Sequence, residues 1–227
     1  MRHLSERAIN YLQKLDRDKD AIVDRKQIEQ YFQQQGVPIF DPVVDFGVSY
    51  SGFTFKSKTK KSDSFSSFLV WMDDIKLNRQ FNFEKQDNGY LFYCGQHETA
   101  QFYFYIDQEG QFCSNGHKGA NILSSTFDVE VEQYAYKDGL NGWIEYPYFY
   151  NLINTDALQL KLASSFDTIL ECTDIYNRWF SNDNIIIQKG IWLDNPTSYL
   201  HFYGKTNDIV EKIVDELKKN EIIKTAS

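Results

Sequence analysis

The sequence predicts an α+β fold in which helices pack against a twisted, mainly antiparallel sheet. Two short runs, 89–95 and 101–107, are rich in aromatic and β-favouring residues and are bounded by glycine and polar residues, as strands usually are. Amphipathic helix patterns precede and follow this central region. Of the 227 residues, 42% are hydrophobic and 16% are aromatic, so the chain contains enough apolar side-chain surface for a substantial core.

The N-terminal part of the chain is expected to form three helices. Apolar residues recur at helical spacing over 4–15. Asp24 and Gln27 form the pattern of a capping box at the start of a second helix, and Gly36 is suited to its C-terminal end. The pair 41–42, an aspartate followed by a proline, marks the start of a third, short helix.

The centre of the sheet is predicted from 102–106, where phenylalanine and isoleucine alternate with Tyr103 and Tyr105. Successive side chains of a strand point to opposite faces, so this segment has one phenylalanine and isoleucine face and one tyrosine face. The turn-forming residues 107–110 lead into a second extended run at 111–113. Together these segments predict neighbouring strands of an antiparallel sheet.

The second half of the chain is expected to mix helices with strands. Its predicted elements are a loop over 114–119, helices that start at Ser125, Thr155 and Ser165, strands over 185–192 and 198–203, and an amphipathic helix over 209–217. The helix from Ser165 is expected to extend through Ile175 to Trp179. The predicted organisation is an α+β domain over 1–150, followed by a C-terminal α/β extension over 151–227. The extension is expected to pack on the same core, and one domain overall is the alternative.

The balance of charge narrows the class of partner. The formal net charge is −8 and the sequence pI is about 5.0. An acidic surface repels phosphate backbones, so nucleic-acid binding is disfavoured. The same charge is compatible with a basic protein partner, because complementary potentials accelerate encounter.

Cysteine usage and hydropathy favour a reduced, cytoplasmic protein. Cys94, Cys113 and Cys172 are far apart in sequence and form no Cys-x-x-Cys pair of the kind used for zinc or redox chemistry. No apolar run approaches the roughly 20 residues of a membrane span, and the N-terminal segment lacks the apolar region of a secretion signal. No membrane association is therefore expected.

The segment 16–27 partly matches a calcium-binding EF-hand loop. Its aspartates occupy ligand positions one, three, five and nine, and Val23 occupies the hydrophobic position eight. However, Ala21 replaces the glycine that makes the sharp turn, and Gln27 replaces the bidentate glutamate. A solvated turn between two helices is the favoured interpretation, and ion binding stays open.

No catalytic, cofactor-binding or metal-binding residue is predicted. The four histidines are scattered and form no metal-binding pattern. His97 and His117 fall in predicted turns or loops, so an enzyme that uses one of them is a third hypothesis. Cys94 and Cys113 fall on predicted strands, where a buried, unreactive thiol is the commoner outcome.

The order of the central elements resembles that of a known family. The segment 46–53 has a Phe/Tyr–Gly character at a helix end, 102–112 is a strand-turn-strand run, and a serine-initiated helix follows over 124–135. Taken in order, these segments resemble the SUKH superfamily, which includes many bacterial immunity proteins. The resemblance implies helices against a twisted antiparallel sheet, and a function through binding rather than catalysis.

The predicted function is therefore that of an immunity protein. Such a protein binds a cognate bacterial toxin, for example a basic nuclease-type effector, and occludes its functional surface. The candidate partner-binding residues are carboxylates at predicted strand ends and turns, namely Asp73, Asp74, Glu98, Asp107 and Glu109. Each of them is also explained by an ordinary solvated charge.

The alternative function is that of a small-molecule or peptide-binding regulatory domain of the same fold, which uses the aromatic-rich sheet as its pocket. A flat acidic surface favours the immunity hypothesis, whereas a deep aromatic cleft favours this alternative.

Overall fold

The computed structural model describes residues 3–55, 83–87, 89–96, 103–116 and 119–225. Within these ranges the chain forms two antiparallel sheets with six α-helices packed against them, which confirms the predicted α+β class. No helix in these ranges is long and apolar enough to cross a membrane.

The helices and strands follow one another in blocks along the chain. The helices are α1 (Glu6–Lys14), α2 (Arg25–Gln35), α3 (Asp41–Tyr50), α4 (Phe127–Asp138), α5 (Thr155–Leu162) and α6 (Asn207–Lys219), with short 3-10 helices at Lys19–Ala21 and Leu170–Cys172. The strands of the first sheet are β1 (Phe83–Gln86), β2 (Gly89–Gln96), β3 (Tyr103–Asp107), β4 (Phe112–Gly116) and β5 (Gly119–Ser124). Those of the second sheet are β6 (Ile144–Glu145), β7 (Tyr150–Leu152), β8 (Asp167–Thr168), β9 (Arg178–Ser181), β10 (Ile185–Ile191), β11 (Ser198–Gly204) and β12 (Ile223–Thr225).

The first sheet contains β1 to β5 in sequence order, so each strand pairs with the next one along the chain. In β3, Phe104 and Ile106 are buried in the core that this sheet forms with α1 to α4. Tyr105 belongs to a smaller apolar cluster that excludes those two residues. The predicted alternation of faces along this strand is therefore confirmed.

The second sheet has the order β12-β7-β11-β10-β9-β8, with β6 paired to β11. It packs against α5 and α6, where Leu158, Phe202 and Leu217 are buried in one core. Trp179 belongs to a different cluster of this sheet and contacts Tyr136 of α4, with the ring centroids 5.6 Å apart. Since other residues of α4 belong to the core of the first sheet, this helix packs against both sheets.

The chain enters the second sheet before residue 150. Strand β6 already pairs with β11, and β7 begins at Tyr150. The predicted boundary between 1–150 and 151–227 therefore falls inside the second sheet, which takes strands from both sides of it.

The helix predicted from Ser165 is wrong, because this segment contains β8, a 3-10 helix and β9 instead. Asp174 closes a turn here, since its Oδ1 atom accepts hydrogen bonds from the N–H groups of Tyr176 and Asn177 at 2.9 and 2.6 Å. Ile175, whose spacing suggested a helix, is 79% exposed. The apolar spacing therefore did not reflect a buried helical face.

The loop predicted over 114–119 is also wrong in the residues that the structure describes. Strands β4 and β5 form a hairpin whose register reaches Gly116 and Gly119. Ser114 is polar but buried, and its hydroxyl donates to the carbonyl of Leu193, 2.6 Å away. A polar contact with the connection between β10 and β11 thus takes the place of the apolar alternation that usually indicates a strand.

Candidate functional site

The β3–β4 turn holds two of the predicted partner-binding carboxylates. The Oδ1 atom of Asp107 accepts hydrogen bonds from the N–H groups of Glu109 and Gln111, at 3.0 and 2.8 Å. Burial raises the pKa of the Asp107 carboxyl group, and these N–H groups act in the opposite direction. Asp107 is therefore half-buried and engaged in the turn, whereas Glu109 is exposed.

The same turn packs against the start of α3. Gly110 has a φ of +84°, a conformation that favours glycine, and a Cβ atom there would lie only 2.7 Å from the Cβ atom of Pro42. This close approach places the turn beside the first residues of α3, where the side chain of Asp41 is 78% exposed.

A cluster of carboxylates surrounds Arg25 in this region. Its Nη1 atom lies 3.2 Å from Glu29 and 2.8 Å from Asp41, and its Nη2 atom contacts Asp45. Hydrogen bonds that the guanidinium donates to Asp41 and Glu29 raise the pKa of Arg25. Three carboxylates around one guanidinium leave a local excess of negative charge. We refer to Glu29, Asp41, Asp45 and Glu109 as the acidic surface.

The other predicted partner-binding residues, Asp73, Asp74 and Glu98, lie outside the described residues. Glu29, Asp41 and Asp45 were not among the predicted residues, although the i,i+4 spacing of Arg25 and Glu29 is a local indication of an ion pair. The contacts from Arg25 to α3 depend on how two helices pack, which local spacing does not show.

A small polar cavity lies between α4 and the two sheets. Its water-accessible volume is about 40 Å³, which leaves room for water but not for an organic substrate. Glu130 and Lys137 of α4 line it, together with Gln188 of β10 and Tyr199 of β11. Gln188 Nε2 donates to the Tyr199 hydroxyl at 3.1 Å.

The charged groups of this cavity have shifted pKa values. Burial raises the pKa of Glu130 to about 7, while Lys137 and the Ser124 hydroxyl act against this shift. Burial lowers the pKa of Lys137, and Glu130 and Glu145 oppose that change. Such shifts occur both at catalytic sites and in structural polar networks. Because the cavity holds no substrate-sized space, we interpret it as a structural network between the two sheets.

His201 is buried in the second sheet and is neutral near pH 7. Its Nε2–H group donates to the carbonyl of Tyr146 at 2.7 Å, and its ring stacks on Phe149 with the centroids 4.0 Å apart. Burial lowers its pKa to about 3. His97 and His117, the histidines considered for an enzyme, lie outside the described residues.

The three cysteines are buried thiols. Burial raises the pKa of Cys172 to about 12 and also raises the pKa values of Cys94 and Cys113. A thiol that stays protonated is a poor nucleophile and a poor metal ligand. These side chains therefore contribute to packing.

The segment 16–27 is an ordered connection between α1 and α2. The N–H group of Asp18 donates to the carbonyl of Gly52 at 2.8 Å. The Oδ1 atom of Asp18 accepts a hydrogen bond from the N–H group of Asp20, also at 2.8 Å. Asp18 thus shapes the turn and attaches it to the end of α3. Within the described residues, no group of three or more His, Cys, Asp or Glu side chains is placed to hold a metal ion.

An open groove lies beside the β10–β11 connection. Its volume is about 470 Å³, which is within the range of small-ligand sites. Trp192 lines the groove, and its indole N–H group donates to Oδ1 of Asn151 at 2.8 Å. Thr197 and Lys224 also line it, so the groove combines one aromatic ring with several polar groups.

Comparisons with known proteins give no relative for this chain: no family model, curated protein or solved structure matches it. The resemblance to the SUKH superfamily therefore depends on the residues that suggested it, and it stays a prediction.

Proposed function

We propose that this protein is an immunity protein, which binds a cognate bacterial toxin and occludes its functional surface. The observation that carries the proposal is the acidic surface, where one guanidinium is surrounded by three carboxylates and Glu109 lies on the adjoining turn. The net charge of −8 and the resemblance to the SUKH superfamily support the same function.

The acidic surface suits a basic partner for two physical reasons. Glu29, Asp41 and Asp45 contact the Arg25 guanidinium, and Glu109 Oε1 accepts a hydrogen bond from Gln108 Nε2 at 3.3 Å. These side-chain contacts restrict the carboxylates, so less conformational freedom is lost when a partner binds. Their negative potential would accelerate encounter with a positively charged groove, such as that of a nuclease-type toxin. In this arrangement Asp107 holds the turn, and Glu109 and Asp41 contact the partner.

Co-expression with the toxin encoded by the neighbouring gene tests this function. We expect growth rescue and co-purification of the two proteins. The double variant Asp41→Lys/Glu109→Lys should lower the association rate constant by about tenfold or more at low salt. The matched control Glu211→Lys/Asp215→Lys reverses two exposed charges on α6, which gives the same change in net charge, and should leave that rate within about twofold. Equal effects of the two changes would contradict the assignment of the surface.

The groove at Trp192 favours the second function, that of a small-molecule or peptide-binding regulatory domain. Its volume of about 470 Å³ is sufficient for a small ligand. Trp192, Leu152 and Ile153 supply an apolar part of the lining beside several polar groups. A fragment screen observed through nitrogen-15-labelled indole groups tests it. The Trp192 signal is identified by its loss in Trp192→Phe, and a saturable shift of that signal alone among the indoles would support this function.

A further inference from the structure

Two cations, Arg178 and Lys189, are direct cross-strand partners in β9 and β10. Residues opposite one another on adjacent strands share a face of the sheet, with Cβ atoms about 4.5–5.5 Å apart. Like charges in this arrangement repel each other and destabilise the sheet. Both side chains are half-buried, so solvent screens this repulsion only in part.

The nearest polar partners of these two cations are neutral. Arg178 Nη1 donates to Oε1 of Gln159 at 2.7 Å, and Lys189 Nζ donates to the carbonyl of Tyr176. In the part of the chain that the structure describes, neither cation has an ion pair with a carboxylate within 4.0 Å. In a chain with net charge −8, a pair of adjacent cations without a close carboxylate is unexpected.

Asp174 is a carboxylate that lines the same pocket as these two cations, without an ion pair to either of them within 4.0 Å. One of its oxygens accepts hydrogen bonds from the N–H groups of Tyr176 and Asn177, and the other accepts one from Ser125 at 2.6 Å. Its oxygens are therefore engaged in the turn. Burial lowers the pKa of Lys189, Asp174 opposes that change, and Arg178 reinforces it. Two cations and one carboxylate leave this region with an excess of positive charge.

The two cations line a pocket between the second sheet and α5. Its water-accessible volume is about 120 Å³, which is enough for one compact polyatomic anion. Thr155, the first residue of α5, and Gln159 form the helix side of the pocket, and Ile175 is an exposed apolar residue of its lining. Hydrogen-bond donors thus reach one small space from a strand pair and from a helix.

We propose that this pocket binds a compact tetrahedral oxyanion, of the phosphate class, between Arg178 and Lys189. The planar fork of an arginine donates two hydrogen bonds to one oxyanion, and a lysine adds a point charge. A tetrahedral anion offers more acceptor oxygens than a carboxylate, which suits donors that come from three directions. Binding would neutralise the repulsion between the two cations. The proposal is independent of the immunity function.

Phosphate titration of the intact protein tests this site directly. Binding of inorganic phosphate is followed by phosphorus-31 line broadening and by the melting temperature, with sodium chloride added to keep the ionic strength constant. We expect saturable binding with a Kd of about 1 mM or tighter. Arg178→Gln and Lys189→Gln should each weaken it about tenfold or more, because each removes a charge-assisted hydrogen-bond donor. Lys212→Gln, an exposed lysine on α6, should leave it unchanged.

Titrations with phenyl phosphate and with acetate identify the chemical source of the oxyanion. Phenyl phosphate that binds more tightly than inorganic phosphate would indicate a phosphate ester whose apolar group contacts Ile175, and equal affinity would indicate the free ion. Either result supports the site, whereas acetate should bind more weakly than both. No saturable binding, or full affinity in a folded Arg178→Gln or Lys189→Gln variant, would overturn the proposal. Circular dichroism verifies that each variant is folded. If only one of the two variants folds, its phosphate affinity alone is sufficient for the test.

Discussion

The ring of Tyr199 lies across Gly190, its direct partner on the neighbouring strand. A Cβ atom added at Gly190 would lie 2.6 Å from both Cζ and Oη of Tyr199. The absence of a side chain at Gly190 lets the tyrosine cross from β11 to β10, where its hydroxyl accepts a hydrogen bond from Gln188. The glycine is thus required by a close approach, although its φ is not in the left-handed region.

Gly190→Ala should destabilise the protein by about 1–3 kcal/mol, because the new methyl group would displace the Tyr199 ring from a packed interface. Urea denaturation measures the loss in the free energy of unfolding. Gly139→Ala is the matched control, since the nearest atom to a Cβ there is a helix carbonyl at 3.4 Å. We expect that control to change stability by less than about 1 kcal/mol. A smaller loss in Gly190→Ala than in the control would contradict the described packing.

Tyr50→Phe should cost about 1.5–3 kcal/mol of stability. The Tyr50 hydroxyl donates to Oδ1 of Asp128 at 2.5 Å, and both side chains are buried. A hydrogen bond to a charged group in the interior is worth more than one at the surface. Thermal or urea unfolding measures the loss. Tyr148→Phe, at a side chain that is 59% exposed, should change the stability by less than about 0.5 kcal/mol.

Glu130→Gln should change how stability depends on pH. The pKa of Glu130 is about 7 in the folded protein and 4.5 in the unfolded chain, so between these values the folded state binds the extra proton. The stability that Glu130 contributes is therefore present below pH 4.5 and is lost as the pH rises through 7. Relative to the wild type, Glu130→Gln should gain roughly 1–2 kcal/mol over this interval.

His201 acts in the opposite direction. Its pKa is about 3 when folded and 6.5 when unfolded, so its contribution is present above pH 6.5 and is lost as the pH falls through 3. Between pH 4.5 and 6.5 the two groups offset each other. We therefore expect the free energy of unfolding of the Glu130→Gln variant to rise more steeply between pH 4.5 and 6.5 than that of the wild type. Urea titrations at a series of pH values measure both curves. Parallel curves for the two proteins would contradict the position of Glu130.

Asp107→Ala should destabilise the β3–β4 turn by about 1–2 kcal/mol, whereas Asp107→Asn should cost less than about 0.5 kcal/mol. The asparagine retains an oxygen that accepts from the N–H groups of Glu109 and Gln111. The Asn variant also removes the charge, so it distinguishes the hydrogen bonds that hold the turn from any direct contact between the carboxylate and the toxin. Full toxin affinity in Asp107→Asn is expected, and a large loss would instead make Asp107 a direct contact.

The local features of the fold were predictable because their signals lie within a few residues. The capping box of Asp24 and Gln27 is present, with both hydrogen bonds at 2.9 Å, and Gly36 ends α2 with a φ of +67°. The apolar face predicted over 209–217 buries Val210 and Leu217. Periodicity and capping report on a helix or a strand without any information about its neighbours.

The candidate sites were less predictable because they depend on packing between distant segments. Arg25 contacts Asp41 and Asp45 across two helices, and those pairs have no sequence spacing of their own. The pairing of Arg178 with Lys189 follows from the register of β9 and β10. The register was inaccessible because 165–179 was predicted as a helix. A wrong assignment of one element therefore concealed a site on the next.

Growth rescue in co-expression with the neighbouring toxin is the most direct test of the proposed function. We expect the wild-type chain to restore growth and to co-purify with the toxin. We also expect Asp41→Lys/Glu109→Lys to weaken both effects and Glu211→Lys/Asp215→Lys to leave them unchanged. A toxin that is lethal alone and stays lethal beside a folded, expressed wild-type chain, with no complex formed, would contradict it.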